Sequence, residues 1–269
     1  MSVQLSVSQV LEACRAAGPV LGIDTGSPTA SLGVVADGRI CAALSRGVRS
    51  HCAGLPEAVD EILAAAGITI RDLRAVAVAV GPGSFTGLRI GLSYAKGICL
   101  ATNLAIMGVS TLDAVSLCIP ASELVTGSTV CPVLDARKGE IYTALYEFVS
   151  DALQKVTRDL VVPLKDLVSR VNGETVFIGD SKAEEARSLV ASKGGAARFA
   201  GAARFELRGS FVAALGAARV ADNESDNPAT LEPLYVRPPD ASVNSTAIRS
   251  GEGDYGTSRG RAYPAACRS

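Results

Sequence analysis

Tryptophan is absent from the 269-residue sequence, and aromatic residues make up only 4% of it. Proteins that hold single-stranded nucleic acid stack its bases on several aromatic rings, so this composition argues against such a platform. The charges are also nearly balanced, with 26 Lys and Arg against 27 Asp and Glu. Because a domain that grips nucleic acid by itself usually carries a clustered basic excess, we expect no independent nucleic-acid binding.

Metal ligands, disulfide patterns and membrane segments are just as scarce. His51 is the only histidine and is most simply interpreted as a loop or helix-start residue. The cysteines are Cys14, Cys41, Cys52, Cys99, Cys118, Cys131 and Cys267. They form no C-x-x-C pair, and their odd number and wide spacing are typical of free thiols in a reducing compartment. No run reaches the ~20 apolar residues of a membrane span, and the first residues lack the basic and apolar regions of a signal peptide. We therefore expect a soluble, cytoplasmic protein with no membrane contact.

One glycine-rich loop is present, GPGSFTGLRIG, starting at Gly81 between the apolar run RAVAVAV and a helix-like segment. Such turns often hold phosphate. However, Thr86 stands where both the P-loop and the dinucleotide fingerprint require glycine, and no lysine follows Gly87. Gly81 and Gly83 allow backbone conformations closed to other residues, and Ser84 or Thr86 is expected to cap the helix. We predict that the loop is not a catalytic phosphate site.

Small residues recur every fourth position after this loop, at Gly87, Gly91 and Ala95. Residues four apart share one face of a helix, and small side chains let a neighbouring element approach closely. Two interpretations stay open: an internal packing contact, or a helix that docks on a partner chain. On the second interpretation, Gly91→Leu should break association without unfolding the monomer.

The hydrophobic pattern predicts an α/β protein in two lobes. Residues 1–18 form a helical leader. Residues 19–120 form a first lobe that carries the glycine-rich loop, and residues 121–240 form a second. Residues 241–269 are rich in Gly, Ser and Arg and poor in aliphatic side chains, which predicts a disordered tail. Its arginines are diluted by acidic residues, so a solvated tail is favoured over a contact with nucleic acid.

Within the first lobe, residues 20–45 read as three antiparallel strands with a hairpin at Asp37-Gly38, a pair that suits a type I′ turn. A helix follows over residues 55–67, with proline in its first turn and glycine at its end. Residues 74–80 are apolar on both faces and predict a buried strand.

A weak internal repeat links the two lobes. The segments GIDTGSPTASLGVV and VLDARKGEIYTALY share the order apolar strand, aspartate, polar turn, alternating strand. Their aspartates are Asp24 and Asp135, and each segment opens one half of the chain. This order suggests a duplicated fold with a cleft between the lobes.

These segments, together with PLYVRP at residues 233–238, resemble the bacterial TsaB family, also called YeaZ. The match runs in order from about Val20 to Arg237. The resemblance implies the two-lobed fold shared by actin, Hsp70 and sugar kinases, with a mixed sheet in each lobe. It also implies a role in making threonylcarbamoyladenosine (t6A) beside the anticodon of tRNA. In that family TsaB is a non-catalytic scaffold that pairs with its paralogue TsaD, which the ATPase TsaE joins. TsaB also forms homodimers, and it contacts tRNA only through the complex.

The resemblance also implies which residues have a role. Family members pair through first-lobe helices, and the expected partner interface here is Gly81, Gly83, Ser84, Phe85, Thr86, Gly87, Arg89, Gly91 and Ala95. TsaD-like subunits hold a metal with a motif resembling GVNHLEGH, whereas GVSTLDAV here places Thr111 and Val115 at its histidine positions. We therefore expect no metal site and no catalytic residue in this chain.

Nucleotide binding is a separate question. In the implied fold, an aspartate at the end of each lobe's first strand holds Mg²⁺ through water, and polar turns cradle the phosphates. The corresponding residues are Asp24, Thr25, Gly26, Ser27, Asp135 and Gly179. Arg137 and Lys138 crowd the second turn, so we expect no intrinsic cofactor. ATP or ADP with Mg²⁺ at the interface with the paralogue stays open. The simpler interpretation is that both aspartates hydrogen-bond their own turns.

The competing functional class is an enzyme: a small-molecule kinase or ATPase of the same fold, or a glycoprotease-like (M22) enzyme. A kinase needs a glycine-rich second phosphate turn, and a peptidase of this type needs metal ligands. Because the sequence offers neither, the scaffold is favoured. ATPase activity abolished by Asp24→Asn, or stoichiometric bound metal, would support the enzyme instead.

Overall fold

The computed structural model describes residues 4–5, 7–47 and 51–236, and the predicted tail lies outside this range. The helices are α1 (Val7–Ala17), α2 (His51–Ala65), α3 (Phe85–Thr102), α4 (Thr111–Ser116), α5 (Ser181–Ser192), α6 (Ala202–Phe205) and α7 (Arg208–Ala221). The strands are β1 (Gln4–Leu5), β2 (Val20–Asp24), β3 (Thr29–Ala36), β4 (Arg39–Gly47), β5 (Ala75–Gly81), β6 (Ala105–Ser110), β7 (Thr129–Asp135), β8 (Glu140–Thr143), β9 (Tyr146–Val149), β10 (Ala152–Lys155), β11 (Leu160–Pro163), β12 (Thr175–Gly179) and β13 (Ala197–Phe199). None of the described helices combines the length and apolar character that crossing a bilayer requires. The strands form one five-stranded and one eight-stranded sheet, which confirms the predicted two-lobed α/β class.

The first sheet has the order β4-β3-β2-β5-β6. Strands β2, β3 and β4 are antiparallel neighbours, as predicted from the sequence, whereas β5 and β6 add in parallel. The β3–β4 hairpin turns at Asp37 and Gly38, whose φ values are 53° and 75°. Positive φ at both central residues is what a type I′ turn requires, so this prediction is confirmed.

Strand β5 is buried on both faces, as its apolar sequence predicts. Val76 and Val78 belong to a core that includes residues of α2 and α3. The alternate residues Ala75, Ala77 and Ala79 belong to a core that includes α7. Because these alanines are small, α7 lies close against the sheet.

The second sheet runs β1-β10-β9-β7-β12-β13, with β8 pairing both β7 and β11. Strand β12 is parallel to β7, and α5 packs against both. The core between α5 and this sheet includes Val133, Ile141, Phe177 and Val190. The two predicted repeat segments correspond to β2–β3 and β7–β8, each an antiparallel pair with an aspartate at the end of its first strand.

The lobe boundary drawn from the sequence differs from the structure at α7. This helix was placed in the second lobe, yet it packs on β2, β3 and β5 of the first sheet. The approach is close enough that a Cβ added at Gly22 would lie 2.1 Å from the carbonyl oxygen of Gly209. Helix α1, the predicted leader helix, packs in turn on α7 and buries Cys14 and Ala17. The amphipathic pattern of α7 predicts a buried helix but contains no information about which sheet it covers.

Candidate functional site

The glycine-rich loop lies against the turn that follows β2. The backbone N–H of Ser84 donates to the carbonyl oxygen of Gly26 at 2.7 Å. The Ser84 hydroxyl accepts from the N–H of Gly87 at 3.3 Å, so Ser84 is the N-cap of α3. A Cβ added at Gly83 would lie 2.7 Å from the same Gly26 oxygen. Position 83 therefore requires glycine because of contacts within the first lobe.

The stripe of small residues also packs internally. Gly87, Gly91 and Ala95 are buried. A Cβ at Gly87 would lie 2.0 Å from the carbonyl oxygen of Thr25, and one at Gly91 would lie 2.3 Å from its hydroxyl. That hydroxyl donates to the carbonyl oxygen of Gly87 at 2.7 Å. The prediction that this stripe docks on a partner chain is therefore wrong, and Gly91→Leu would disrupt the monomer itself. Gly81 is likewise buried.

The opposite face of α3 is exposed. Of the expected interface residues, Ser84, Phe85, Thr86 and Arg89 lie on this side, and the Phe85 side chain is 53% exposed. An open groove of about 600 Å³ runs between α2 and α3. Its lining residues are Leu55, Phe85, Thr86, Arg89, Ile90, Ser93 and Tyr94, and we call this surface the α2–α3 face.

A residue that sequence reasoning missed completes this surface. Tyr235 lies in the PLYVRP segment, far from α3 in sequence, yet its ring stacks on Phe85 with centroids 5.2 Å apart. Its hydroxyl is 3.0 Å from Nε of Arg89, which donates to it. No local pattern in this segment indicates the contact, because the two residues are 146 positions apart.

The turn after β2 holds a fully buried ion pair. Asp24 accepts from the N–H of Gly26 at 2.7 Å through one carboxylate oxygen. The other oxygen accepts from Nε of Arg208 in α7 at 3.1 Å, and both side chains are completely buried. Thr25 and Ser27 are buried as well. These residues do not fit a magnesium-bound nucleotide, because both carboxylate oxygens are bonded within the protein and the turn is closed to solvent.

The equivalent turn of the second lobe is also bonded to itself. Asp135 accepts from the N–H of Arg137 at 2.8 Å, and the N–H of Asp135 donates to Asp180 at 2.7 Å. Asp180 caps α5, and its burial raises the pKa of its carboxyl group. A Cβ at Gly179 would lie 1.8 Å from the carbonyl oxygen of Val133, so close packing requires this glycine. The expectation that both strand-end aspartates bond their own turns agrees with these contacts.

Comparisons with known proteins identify the family. A family model described as TsaD, tRNA N6-adenosine threonylcarbamoyltransferase, matches residues 45–218. The tRNA threonylcarbamoyladenosine biosynthesis protein TsaB of Escherichia coli is 32% identical over 164 residues, covering 60% of this chain and 70% of that protein. The chain belongs to the TsaB family.

Other comparisons extend over more of the chain. An uncharacterised protein of Mycobacterium tuberculosis is 32% identical over 228 residues, covering 82% of this chain and 93% of that protein. The structure of YeaZ from Pseudomonas aeruginosa has the same fold, with a TM-score of 0.62 and 20% identity over 81% of this chain and 99% of that one. The family resemblance found in the sequence is thus confirmed.

The segment that corresponds to the TsaD metal motif is largely buried in this TsaB-family chain. Thr111 and Val115, at the two histidine positions, lie in α4 and are inaccessible to solvent. Within the described ranges, no three His, Cys, Asp or Glu side chains are placed to hold a metal ion.

A second polar cluster joins the two lobes beside α4. Asp113 accepts from the hydroxyl of Tyr146 at 2.6 Å and from Nζ of Lys155 at 2.7 Å. Lys155 also lies 2.6 Å from Asp159. Burial by itself would lower the pKa of Lys155, but the two carboxylates raise it above its ordinary value. The cluster ties α4 to the second sheet, and no sequence pattern had indicated it.

Proposed function

We propose that this protein is a non-catalytic subunit of the machinery that makes threonylcarbamoyladenosine in tRNA. Its role is to support transfer of the threonylcarbamoyl group by a TsaD-type subunit. The name of its E. coli relative supports the pathway. The observation that carries the non-catalytic role is the buried Asp24–Arg208 pair, which uses the carboxylate that a nucleotide-binding member of this fold would need for Mg²⁺.

The α2–α3 face is the surface we assign to the TsaD-type subunit. The TsaD family model matches this chain over residues 45–218, a range that contains α2 and α3, and this match supports a related helix pair in the TsaD-type subunit. Two related subunits can pair through equivalent patches, in the manner of an isologous dimer. The exposed ring of Phe85 beside an open groove is the kind of feature that anchors such interfaces.

The rest of the assembly follows the family pattern. TsaE joins the pair, tRNA is bound only through the complex, and a homodimer uses the same face when the paralogue is absent. The chain needs no cofactor of its own. ATP or ADP with Mg²⁺ belongs to the interface with the paralogue. The cytoplasm is the compartment in which these partners would meet.

The alternative enzymatic functions are not favoured. A kinase of this fold would need an accessible strand-end aspartate, whereas Asp24 is buried and paired. A metal-dependent peptidase would need ligands where Thr111 and Val115 stand.

A leave-one-out reconstitution tests the proposal. TsaD, TsaE, the threonylcarbamoyl donor and tRNA from the same source would be combined with and without this protein. We expect modification to collapse without it, and this protein alone to modify nothing. Unchanged modification in its absence would refute the role.

A pair of matched variants tests the surface. Ser93→Arg places a large cation in the middle of the α2–α3 face, whereas Ser188→Arg makes the same change on α5 of the second lobe. Both serines are exposed on helices. We expect only Ser93→Arg to abolish modification and binding of TsaD. Equal effects would show that another surface is used.

A further inference from the structure

The chain after α7 returns to the first sheet and ends beside the α2–α3 face. Arg219 forms two hydrogen bonds with Asp226, both at 2.9 Å, and Asp226 accepts from the N–H of Gly108 at 2.7 Å. Further on, the N–H of Leu234 donates to the carbonyl oxygen of Val80 at 2.7 Å. We call residues 224–236 the C-terminal strap. These anchors fix the position of the next residue, Tyr235.

Tyr235 holds the side chain of Arg89 in place. Arg89 lies over the ring of Phe85 at 3.9 Å from its centroid, and its Nε donates to the Tyr235 hydroxyl. The two aromatic rings stack on each other, so the three side chains form one unit. A guanidinium fixed in this way loses less conformational entropy when it binds a carboxylate.

The terminal nitrogens of this guanidinium are available to a ligand. Among the residues that the structure describes, no carboxylate lies within ion-pair distance of Arg89, and its side chain faces solvent. An oriented and unpaired arginine between exposed rings has the composition of an interface hot spot.

Two acidic side chains of α2 lie near the groove, outside its lining. Tyr94 lines the groove, and burial raises the pKa of its hydroxyl, with a further increase from the nearby charges of Asp60 and Glu57. Both acidic residues are exposed on α2. The groove therefore has a cation in its lining, at Arg89, and negative charge on the neighbouring helix α2.

We infer that Arg89 is the specificity determinant of this surface, that it pairs with a carboxylate of the TsaD-type subunit, and that Tyr235 is its positioning residue. The inference rests on the proposed function. The complementary partner presents an apolar side chain to the groove, an acidic residue to Arg89 and a basic residue to α2. Charge matching of this kind selects one partner over others and sets the register of docking.

Binding of the TsaD-type subunit measured by titration calorimetry tests the inference. We expect Arg89→Ala to raise the Kd roughly 10- to 30-fold, as loss of a hot spot does. Arg89→Glu should raise the Kd further, because it places a carboxylate opposite the carboxylate of the partner. Tyr235→Phe keeps the ring but removes the hydroxyl, and it should raise the Kd about threefold. Arg170→Ala, at an exposed arginine of the second lobe, is the matched control and should change nothing.

Two readouts separate positioning from simple stability. The Kd of the wild type should rise with salt, and Arg89→Ala should lose part of that dependence. Tyr235→Phe should also add nothing to Arg89→Ala, because the hydroxyl acts only through the guanidinium. Additive effects, or an unchanged salt dependence, would refute the assigned roles even if both variants bind more weakly.

The remaining outcomes distinguish the inference from the proposed function. If the wild type does not bind TsaD at all, the proposed function fails. If Ser93→Arg blocks binding but Arg89→Ala does not, the surface stands and the inference is wrong. If Arg89→Ala weakens only self-association, measured by sedimentation, then a second copy of this chain is the occupant and the assignment to TsaD is overturned.

Discussion

Three glycines of α3 provide a direct test of how this helix is packed. Gly87 faces the turn after β2, and a Cβ there would lie 2.0 Å from a backbone oxygen, more than an ångström short of an ordinary contact. Gly97 lies on the exposed side of the same helix, and a Cβ there would meet nothing within 4 Å. The same substitution by alanine should therefore have opposite effects at the two positions.

The magnitudes follow from two opposing contributions. Alanine is favoured over glycine inside a helix by about 1 kcal/mol. Overpacking typically costs about 1–3 kcal/mol, and a clash with backbone belongs at the upper end. We therefore expect Gly97→Ala to raise the free energy of unfolding by up to about 1 kcal/mol. Gly87→Ala should lower it by about 2 kcal/mol, a fall in Tm of roughly 4–8 °C for a chain of this size.

Thermal unfolding followed by circular dichroism, with urea unfolding as a second measure, gives both values. Gly91→Ala should behave like Gly87→Ala, because its Cβ would meet the Thr25 hydroxyl at 2.3 Å. If Gly87→Ala were as stabilising as Gly97→Ala, the packing of α3 on this turn would be wrong. The stripe would then again be available to a partner chain.

Three further predictions concern buried or paired groups. Arg208→Met leaves the Asp24 carboxylate buried without its counter-ion, so urea unfolding should show a loss of about 3–5 kcal/mol in the free energy of unfolding. Adding Asp24→Asn should recover part of this loss, and strict additivity of the two changes would contradict the pairing. Hydrogen bonds from a neighbouring arginine lower the pKa of Asp226, so its contribution to stability is complete above the unfolded-state pKa of about 3.9 and is lost as pH falls through the lower folded value. The Tm difference between wild type and Asp226→Asn should accordingly shrink below about pH 4, and a constant difference would exclude this ion pair as its cause. Burial raises the pKa of the Cys131 thiol to about 12, so iodoacetamide at pH 8 should label this thiol only after unfolding. The partly exposed Cys41 should react in the folded protein, and mass spectrometry would map both labels.

Much of the fold could be predicted because it depends on local pattern. The hairpin at Asp37-Gly38, the buried strand β5 and the cap at Ser84 each depend on a few neighbouring residues. The repeated strand–aspartate–turn order also predicted two related lobes. Helix α7 was assigned to the wrong lobe because its apolar face would suit either sheet.

The candidate site was only partly predictable. The loop and α3 were recognised, and Phe85 and Arg89 do lie on the exposed side. The small-residue stripe could not be assigned, because close packing against the same chain and close packing against a partner favour the same residues. Only the position of Thr25 in the structure decides between them.

By itself, the sequence determined the class of the fold, the first-lobe strands β2 to β5 and the membership of the TsaB family, whereas α2 begins at His51, four residues before its predicted start. Periodicity and turn chemistry act over a few residues, and a family motif is carried by the sequence itself. The tertiary structure alone decided which face of α3 is free. It also joined Arg208 to Asp24 across 184 positions and Tyr235 to Arg89 across 146. Contacts at such separations depend on how the lobes pack, and no local pattern encodes which distant surfaces will meet.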